Sequence, residues 1–321
     1  MKKTLLATAI VSALVSATAG AATVYDQDGT TLKVGGRAEV RGLFSDSVDG
    51  TMEDKSRARI NFGGETKISE NLTGFGFMEY EIKSGASEVK NRYLFAGIGT
   101  KIGDFSYGKQ DSANVQVSDF TDIASEHSGQ QQYVGAAKDK RDNNFLYSGT
   151  FADALTVQTN YIANGVQEFD KDGNAQTASE DAFGISAVYA FDFGLDLGAS
   201  YSDQDEENQA TLGATYTWND LYVAATYAMG ATDANTDFTS LEAAVQYKFT
   251  KEFRLMGIVG MAEEDDGATM DTEDFFALEA QYRFNKSIRT FASYKLNNLD
   301  EKEVGKADSE NELMVGLRYN F

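Results

Sequence analysis

The chain contains no cysteine and no proline, and its 321 residues include one histidine and one tryptophan. Without cysteine there is neither a disulfide nor a thiolate nucleophile. The absence of proline suits a chain of paired strands, where a residue with no N–H interrupts the ladder. Basic residues are few, 28 against 50 acidic ones, so the net charge is −22. So negative a chain cannot bind nucleic acid by neutralising phosphates, and no nucleic-acid partner is expected. Past the N-terminus no segment reaches the ~20 apolar residues of a membrane-spanning helix. The chain therefore either stays in water or crosses a bilayer as a closed barrel of strands.

The N-terminus itself reads as a leader. Lys2 and Lys3 precede the apolar run Leu5 to Ala17, and Ala19-Gly20-Ala21 offers a small-residue cleavage site. Residues 1–21 are expected to be a secretory signal peptide, since the run is too short to cross ~30 Å of hydrocarbon. The mature chain is then 22–321, with 26 basic residues against 50 acidic ones and a charge of −24.

Strict alternation dominates the mature chain. The closing stretch ENELMVGLRYNF places Leu313, Val315, Leu317, Tyr319 and Phe321 on one face, the period of a strand with one apolar side. SLEAAVQYKFT does the same with Leu241, Ala243, Val245, Tyr247 and Phe249, and DFFALEAQYRFN with Phe276, Leu278, Ala280, Tyr282 and Phe284. QATLGATYTW gives Leu212, Ala214, Tyr216 and Trp218. The apolar faces end in aromatics just before a polar turn, the pattern of interfacial girdles on membrane barrels. A sandwich or β-helix in water has no reason to repeat it.

Short turns (Ser69 to Asn71, Asn219-Asp220, Thr250 to Glu252, Asn285 to Ser287) alternate with long acidic stretches. The latter are SDSVDGTMEDKS, SDQDEENQ, AEEDDGATMDTED and NNLDEKEVGKADSEN. With roughly 9–11 residues per tilted strand, the chain supplies about sixteen strands of an all-β, antiparallel transmembrane barrel. Residues 110–141 break the pattern. A loop that long is usually functional, and Val115, Val117, Phe120 and Ile123 give it apolar anchors against a wall.

ARINFGGETKISENLTGFGFMEYE, NRYLFAGIGTKIGDFSYGKQ, FTDIASEHSG and the terminal LRYNF carry a resemblance that runs from Val24 to Phe321. The chain resembles the general porins of the gram-negative outer membrane, most closely the Vibrio and Photobacterium type. The resemblance implies a sixteen-stranded homotrimeric barrel, multi-pass in the outer membrane among lipid and lipopolysaccharide. It implies passive diffusion of small hydrophilic solutes and ions, with the third external loop folded inward to narrow the pore. Asp122 and Glu126 match the two acids of the family's constriction loop, while Ser125 and His127 stand where the family has proline and phenylalanine. Arg59 and Arg92 match two wall arginines, and Arg37 matches a wall lysine. The third arginine follows a Val-Gly pair in the family; here Ala136 follows it, leaving Lys138 as a substitute or the position empty. Arg57 stands where enteric members have tyrosine. A terminal aromatic is, in that family, read by the barrel-assembly machinery.

Periodicity places the same residues independently. With Ala58, Ile60 and Phe62 toward lipid, Arg57 and Arg59 face inward; with Val34, Ala38 and Val40 outward, Arg37, Glu39 and Arg41 do. With Tyr93 and Phe95 outward, Arg92 is inward. Arginine on the lipid face would cost ~2–4 kcal/mol at mid-bilayer, which favours this parity. Asp122 and Glu126 are expected to face Arg59 and Arg92 across the neck, with Arg37 and Arg57 behind, and the acidic mouth to give weak cation selectivity that fades with salt.

Other functions find less support. His127 lies beside Ser125, Glu126 and Ser128, but neighbours on one loop are not a triad, and no enzyme activity is expected. A sugar-specific channel needs a lumen-facing aromatic track, and only Phe275 and Phe291 point inward, as isolated residues. DKDGNAQ at Asp170 and EEDDG at Glu263 lack the full calcium-loop spacing. No cofactor and no metal are expected.

Overall fold

The computed structural model describes residues 21–163 and 180–321. Most of the expected leader and the DKDGNAQ stretch lie outside the described residues. In chain order the first strands are β1 (Ala22–Gln27), β2 (Thr30–Phe44), β3 (Glu53–Asp54), β4 (Arg57–Ser69), β5 (Leu72–Lys83) and β6 (Val89–Thr100). β7 (Gly103–Gln110) leads into a loop that holds one helical turn, α1 (Val115–Ser118). The wall resumes with β8 (Arg141–Phe151), β9 (Leu155–Ile162), β10 (Ala182–Ala190), β11 (Leu195–Gln204), β12 (Glu207–Trp218) and β13 (Leu221–Ala231). It ends with β14 (Asp237–Lys248), β15 (Phe253–Asp265), β16 (Thr269–Arg283), β17 (Ile288–Asn297) and β18 (Glu312–Asn320).

Each long strand pairs antiparallel with the next, and β18 returns to β2, from Leu313↔Phe44 to Asn320↔Arg37. β2 with β4 to β18 thus makes a closed ring of sixteen, and β1 and β3 are short additions to the edge of β2. Closure removes every free edge, the condition for strands in hydrocarbon.

The two faces are chemically opposite. Leu317, Tyr319, Leu278 and Trp218 are 45%, 49%, 47% and 62% exposed, whereas Gln209, Glu242 and Glu279 are fully covered. At ~25 cal/mol per Å² an apolar shell of this kind is unfavourable in water. In lipid it is the proper surface, and the polar face becomes the lumen. Aromatics gather where strands meet the short turns: Tyr247 lies 4.8 Å from Phe249 and Tyr282 lies 5.1 Å from Phe284.

The C-terminus explains itself at the seam. The Phe321 amide donates to the Gly36 carbonyl at 3.1 Å, and the Gly36 amide donates to the Phe321 carbonyl at 2.9 Å. The ring of Phe321 covers Gly36 so closely that a Cβ there would meet it at 2.6 Å. Beyond this pair the edge of β2 passes to the other end of the chain, with Ala22 opposite Val34. Along β2 the first strand continues the line of the last one.

The alternation misplaces two aromatics. Phe95 is 4% exposed on the inner face, Tyr93 is half-buried there, and Leu94 is the lipid-facing residue at 50%. The ladder shifts between Glu79 and Tyr80, which face Tyr93 and Asn91, so Arg92 is the extra residue of a bulge. A bulge resets parity, and strict counting across it fails. Arg92 still turns inward, beside Tyr93. The acidic stretches SDQDEENQ and AEEDDGATMDTED are also mostly strand: β11 and β12 are joined by Asp205-Glu206 alone, with Asp205 at φ 54, and β15 and β16 by residues 266–268. Polar residues there extend the strands past the membrane, where propensity for a loop yields to ladder pairing.

Phe275 and Phe291 do point inward, and each lies flat over a glycine of the adjacent strand. Cβ atoms at the paired Gly260 and Gly316 would overlap their rings. Only glycine permits that approach. Both rings are sealed, at 4% and 2% exposure, and form no track for sugars.

Candidate pore constriction

The loop between β7 and β8 follows the inner wall residue by residue. Its ends are tied together at Asp111, which accepts from the Tyr93 hydroxyl at 2.9 Å and from the Lys140 amide at 3.0 Å. The Ala113 amide then donates to Asn160 Oδ1 at 2.9 Å, Gln116 Nε2 to Ser186 Oγ at 2.6 Å, and the Tyr222 hydroxyl to the Phe120 carbonyl at 2.7 Å. Farther round, the Gly129 amide donates to Glu242 Oε1 at 3.0 Å and the Ser125 amide to Glu279 Oε2 at 2.8 Å. Every one of these wall partners has the polar, inward parity, so the loop lies on the lumen side.

Apolar contacts fix its depth. Val117 and Phe120 press on Gly198 and Gly213, paired across β11 and β12, where a Cβ would meet them at 2.8–3.2 Å. Ile123 and Ala124 pack on the buried cluster of Ala244, Met256, Ile258, Phe275 and Ala277. Tyr133 stacks on Phe238 at 4.7 Å on the way back. Val115, Val117, Phe120 and Ile123, expected as anchors, bear on the wall or sit within the loop's buried base. Gly129, at φ +76, is required twice: a Cβ there would also meet the Asp122 carboxyl at 2.7 Å.

The loop tip reaches the basic sector of β2, β4 and β6. Glu126 Oε2 accepts from Arg41 Nη1 at 2.6 Å. Asp122 is exposed and its Oδ1 accepts from Ser128 Oγ at 2.9 Å. Neither acid pairs with Arg59 or Arg92. Those two meet wall acids instead: Arg59 Nε to Glu81 at 2.6 Å and Arg92 Nε to Glu79 at 2.8 Å, with crossed contacts of 3.8 and 3.7 Å. Arg57 Nε donates to Glu39 at 2.8 Å, and Glu39 also accepts from Arg318. Arg37 makes no ion pair among the described residues, and its Nε is buried without a partner. All four expected wall arginines therefore lie in one sector, joined by Arg41 and Arg318.

Lys138 is exposed at the foot of the loop. Lys140 joins the basic wall in its place, its ammonium 5.7 Å from the Tyr93 ring. Glu79 and Glu81 belong to the site and were invisible as such, because each becomes a counter-ion only through cross-strand register, Glu81 opposite Arg59. No single stretch of sequence records that pairing.

His127 is no catalytic base: Ser128 is spent on Asp122, and the imidazole Nδ1 lies 3.7 Å from Glu312 while Nε2 is buried without a partner. Burial first, and then Lys295, holds its pKa down from 6.5 to about 4. It lines a polar cavity of about 230 Å³ with Glu273, Asp274, Lys295, Asp308 and Glu312. A depressed imidazole pKa makes the docked loop neutral there, so docking is at full strength above pH 6.5 and weakens as pH falls toward 4, by on the order of 3 kcal/mol in all. Open-channel noise and closures are expected to rise over that window, and His127→Gln to flatten the rise. An identical acid response in the variant rejects the assignment.

Comparisons with known proteins agree with this architecture. The family model described as Gram-negative porin matches residues 7–320. Outer membrane protein U of Vibrio vulnificus is 37% identical over 344 aligned residues, spanning all of both chains. Salmonella typhi OmpF, solved in complex with daunomycin, superposes with a TM-score of 0.82 at 25% identity, over 94% of this chain and 100% of that one. Vibrio cholerae OmpT in its trimer form gives 0.71 at 19% identity, over 92% and 100%.

Proposed function

Because this chain belongs to the Gram-negative porin family and is an outer-membrane porin, a channel and not an enzyme, we propose that its pore is narrowest where the loop of residues 110–141 meets the wall. The acids Asp122 and Glu126 supply one side of the neck. The basic sector of Arg37, Arg57, Arg59 and Arg92, extended by Arg41 and Lys140, supplies the other. The carrying observation is the Arg41–Glu126 contact of 2.6 Å, a link from loop tip to wall 85 residues away in sequence. Opposed charges in a low-dielectric tube focus a transverse field, which sorts solutes by size and charge without any chemistry.

We propose a trimeric assembly, the form in which Vibrio cholerae OmpT was solved, with lipid and lipopolysaccharide against the apolar shell. Residues 1–21 are the leader on this reading. Purified mature protein added to a planar bilayer is expected to raise conductance in ohmic steps, grouped in threes. Protein that remains in water and leaves the bilayer silent refutes the reading.

A further inference from the structure

A second basic feature lies at the short-turn end of the lumen, on β14 to β18, and meets the neck sector at Arg318. Register aligns Lys248 with Arg254 and Arg254 with Gln281; one step nearer the turns it aligns Arg283 with Arg289 and Arg289 with Arg318. Like charges set directly opposite one another across a ladder are destabilising, and this sheet keeps two such pairs in succession. At the neck all the arginines but Arg37 are offset by Glu39, Glu79, Glu81 and Glu126. Here, among the described residues, only Arg318 has an ion pair, with Glu39.

Arg254 and Arg289 share a neutral acceptor. Gln281 Oε1 accepts from Arg254 Nε at 3.0 Å, from Arg254 Nη2 at 2.5 Å and from Arg289 Nη1 at 3.5 Å, while Gln246 takes Arg254 Nη1 at 2.7 Å. The Gln281 amide nitrogen points away, to Ser125 Oγ and Glu279 Oε1 at 3.3 and 3.4 Å. Glu279 is itself occupied by the Ser125 amide. Arg289 Nε is buried with no partner at all. A cavity of about 60 Å³ opens between Lys248, Lys251, Arg254, Gln281 and Arg283, with Glu252 on its rim holding Thr250 at 2.9 Å. About 10–15 Å³ of such space holds one water, so the cavity has room for a small ion.

We propose that this row, centred on Gln281, is a binding site for small soluble oxyanions of the phosphate class, entered from the short-turn side. Guanidinium groups bind such oxygens through paired N–H donors, and Arg289 Nε has no protein acceptor among the described residues. The amide of Gln281 orients the two arginines without discharging them, which a glutamate would do. Anions leaving or entering at this end would then pause on the row, while the neck above sorts them by size.

The test is inorganic phosphate added to the short-turn side of channels inserted in one orientation, in dilute chloride, where screening is weak. Phosphate is expected to depress single-channel current, and more from this side than from the other. Arg254→Gln with Arg289→Gln should raise the half-blocking concentration about tenfold or more, as loss of a charge-assisted pair implies. Gln281→Glu should do the same with every arginine in place, and Arg254→Lys should keep most of the block. Wild-type channels indifferent to phosphate overturn the proposal. So does a block that survives both Arg254→Gln/Arg289→Gln and Gln281→Glu, or one abolished by Arg59→Ala with Arg92→Ala alone, which would place the anion at the neck.

Discussion

Deletion of Phe321 is expected to lower the amount of folded, heat-modifiable barrel in the membrane about tenfold or more, and to leave the conductance of each assembled channel unchanged. Two seam hydrogen bonds disappear with it, at ~1 kcal/mol each, and the uncovered groups on Gly36 face hydrocarbon with no water to satisfy them. The ring over Gly36 goes too, exposing backbone on the lipid side. Since ~1.4 kcal/mol is a factor of ten, the loss is large on an assembly yield. Gly36→Val attacks the same contact from the other strand, because its Cβ meets the Phe321 ring at 2.6 Å and the Arg59 carbonyl at 2.5 Å. Folded trimer at wild-type levels from the deletion variant would show that the seam closes without its last residue.

The second large effect concerns charge at the neck. Arg59→Ala with Arg92→Ala strips two cations from Glu79 and Glu81, which are only 8% and 3% exposed and keep Asn61 at 3.3 Å and Arg57 at 4.0 Å. The wall keeps Arg37, Arg41, Arg57 and Lys140 and stays basic, with two positive charges fewer. A unit charge ~7 Å from a passing ion is worth about 1 kcal/mol at an effective dielectric between protein and water, about fivefold in a permeability ratio. The reversal potential in a salt gradient should move toward cations accordingly, and bulky solutes should enter faster. Asp122→Asn with Glu126→Gln should move it toward anions, since Arg41 is then released from Glu126. Wild type itself is expected to favour cations weakly, through the acidic mouth, and to lose the preference as salt rises. If both double variants keep the wild-type reversal potential, the constriction lies elsewhere along the loop.

Much of the architecture was legible because a lipid-facing strand must advertise its period. Leu313 to Phe321 and Phe276 to Phe284 read correctly for that reason, and so did the parity of Arg37, Arg57 and Arg59. The reading failed where one residue was added to a ladder. Arg92 occupies a bulge, and Tyr93 and Phe95 exchange faces with Leu94. It failed again where acidic residues were taken for loops: β16 runs fifteen residues, from Thr269 to Arg283, because ladder hydrogen bonds continue beyond the membrane. The loop's apolar anchors were visible in composition. Its receptors were not, since the glycine pair Gly198 and Gly213 becomes a socket only when two strands are in register. The same holds for Glu79 and Glu81, and for the row around Gln281, whose members come from five strands.

The edge of β2, shared by both ends of the chain, also bears on topology. Phe321 sits opposite Gly36 and Ala22 opposite Val34, both running in the same direction, so a single position opposite Gly35 lies between them. At ~3.3 Å per residue that gap is about 7 Å. Cleavage after Ala21, the leader boundary expected from the sequence, would leave the chain a circle cut at one place, with the cut inside a strand and not in a loop. Where a circle is opened is a separate choice from how it is wound. One residue joining Phe321 to Ala22 would make the sixteen strands a continuous circuit, free to be reopened in the 298–311 stretch with the order of neighbours unchanged.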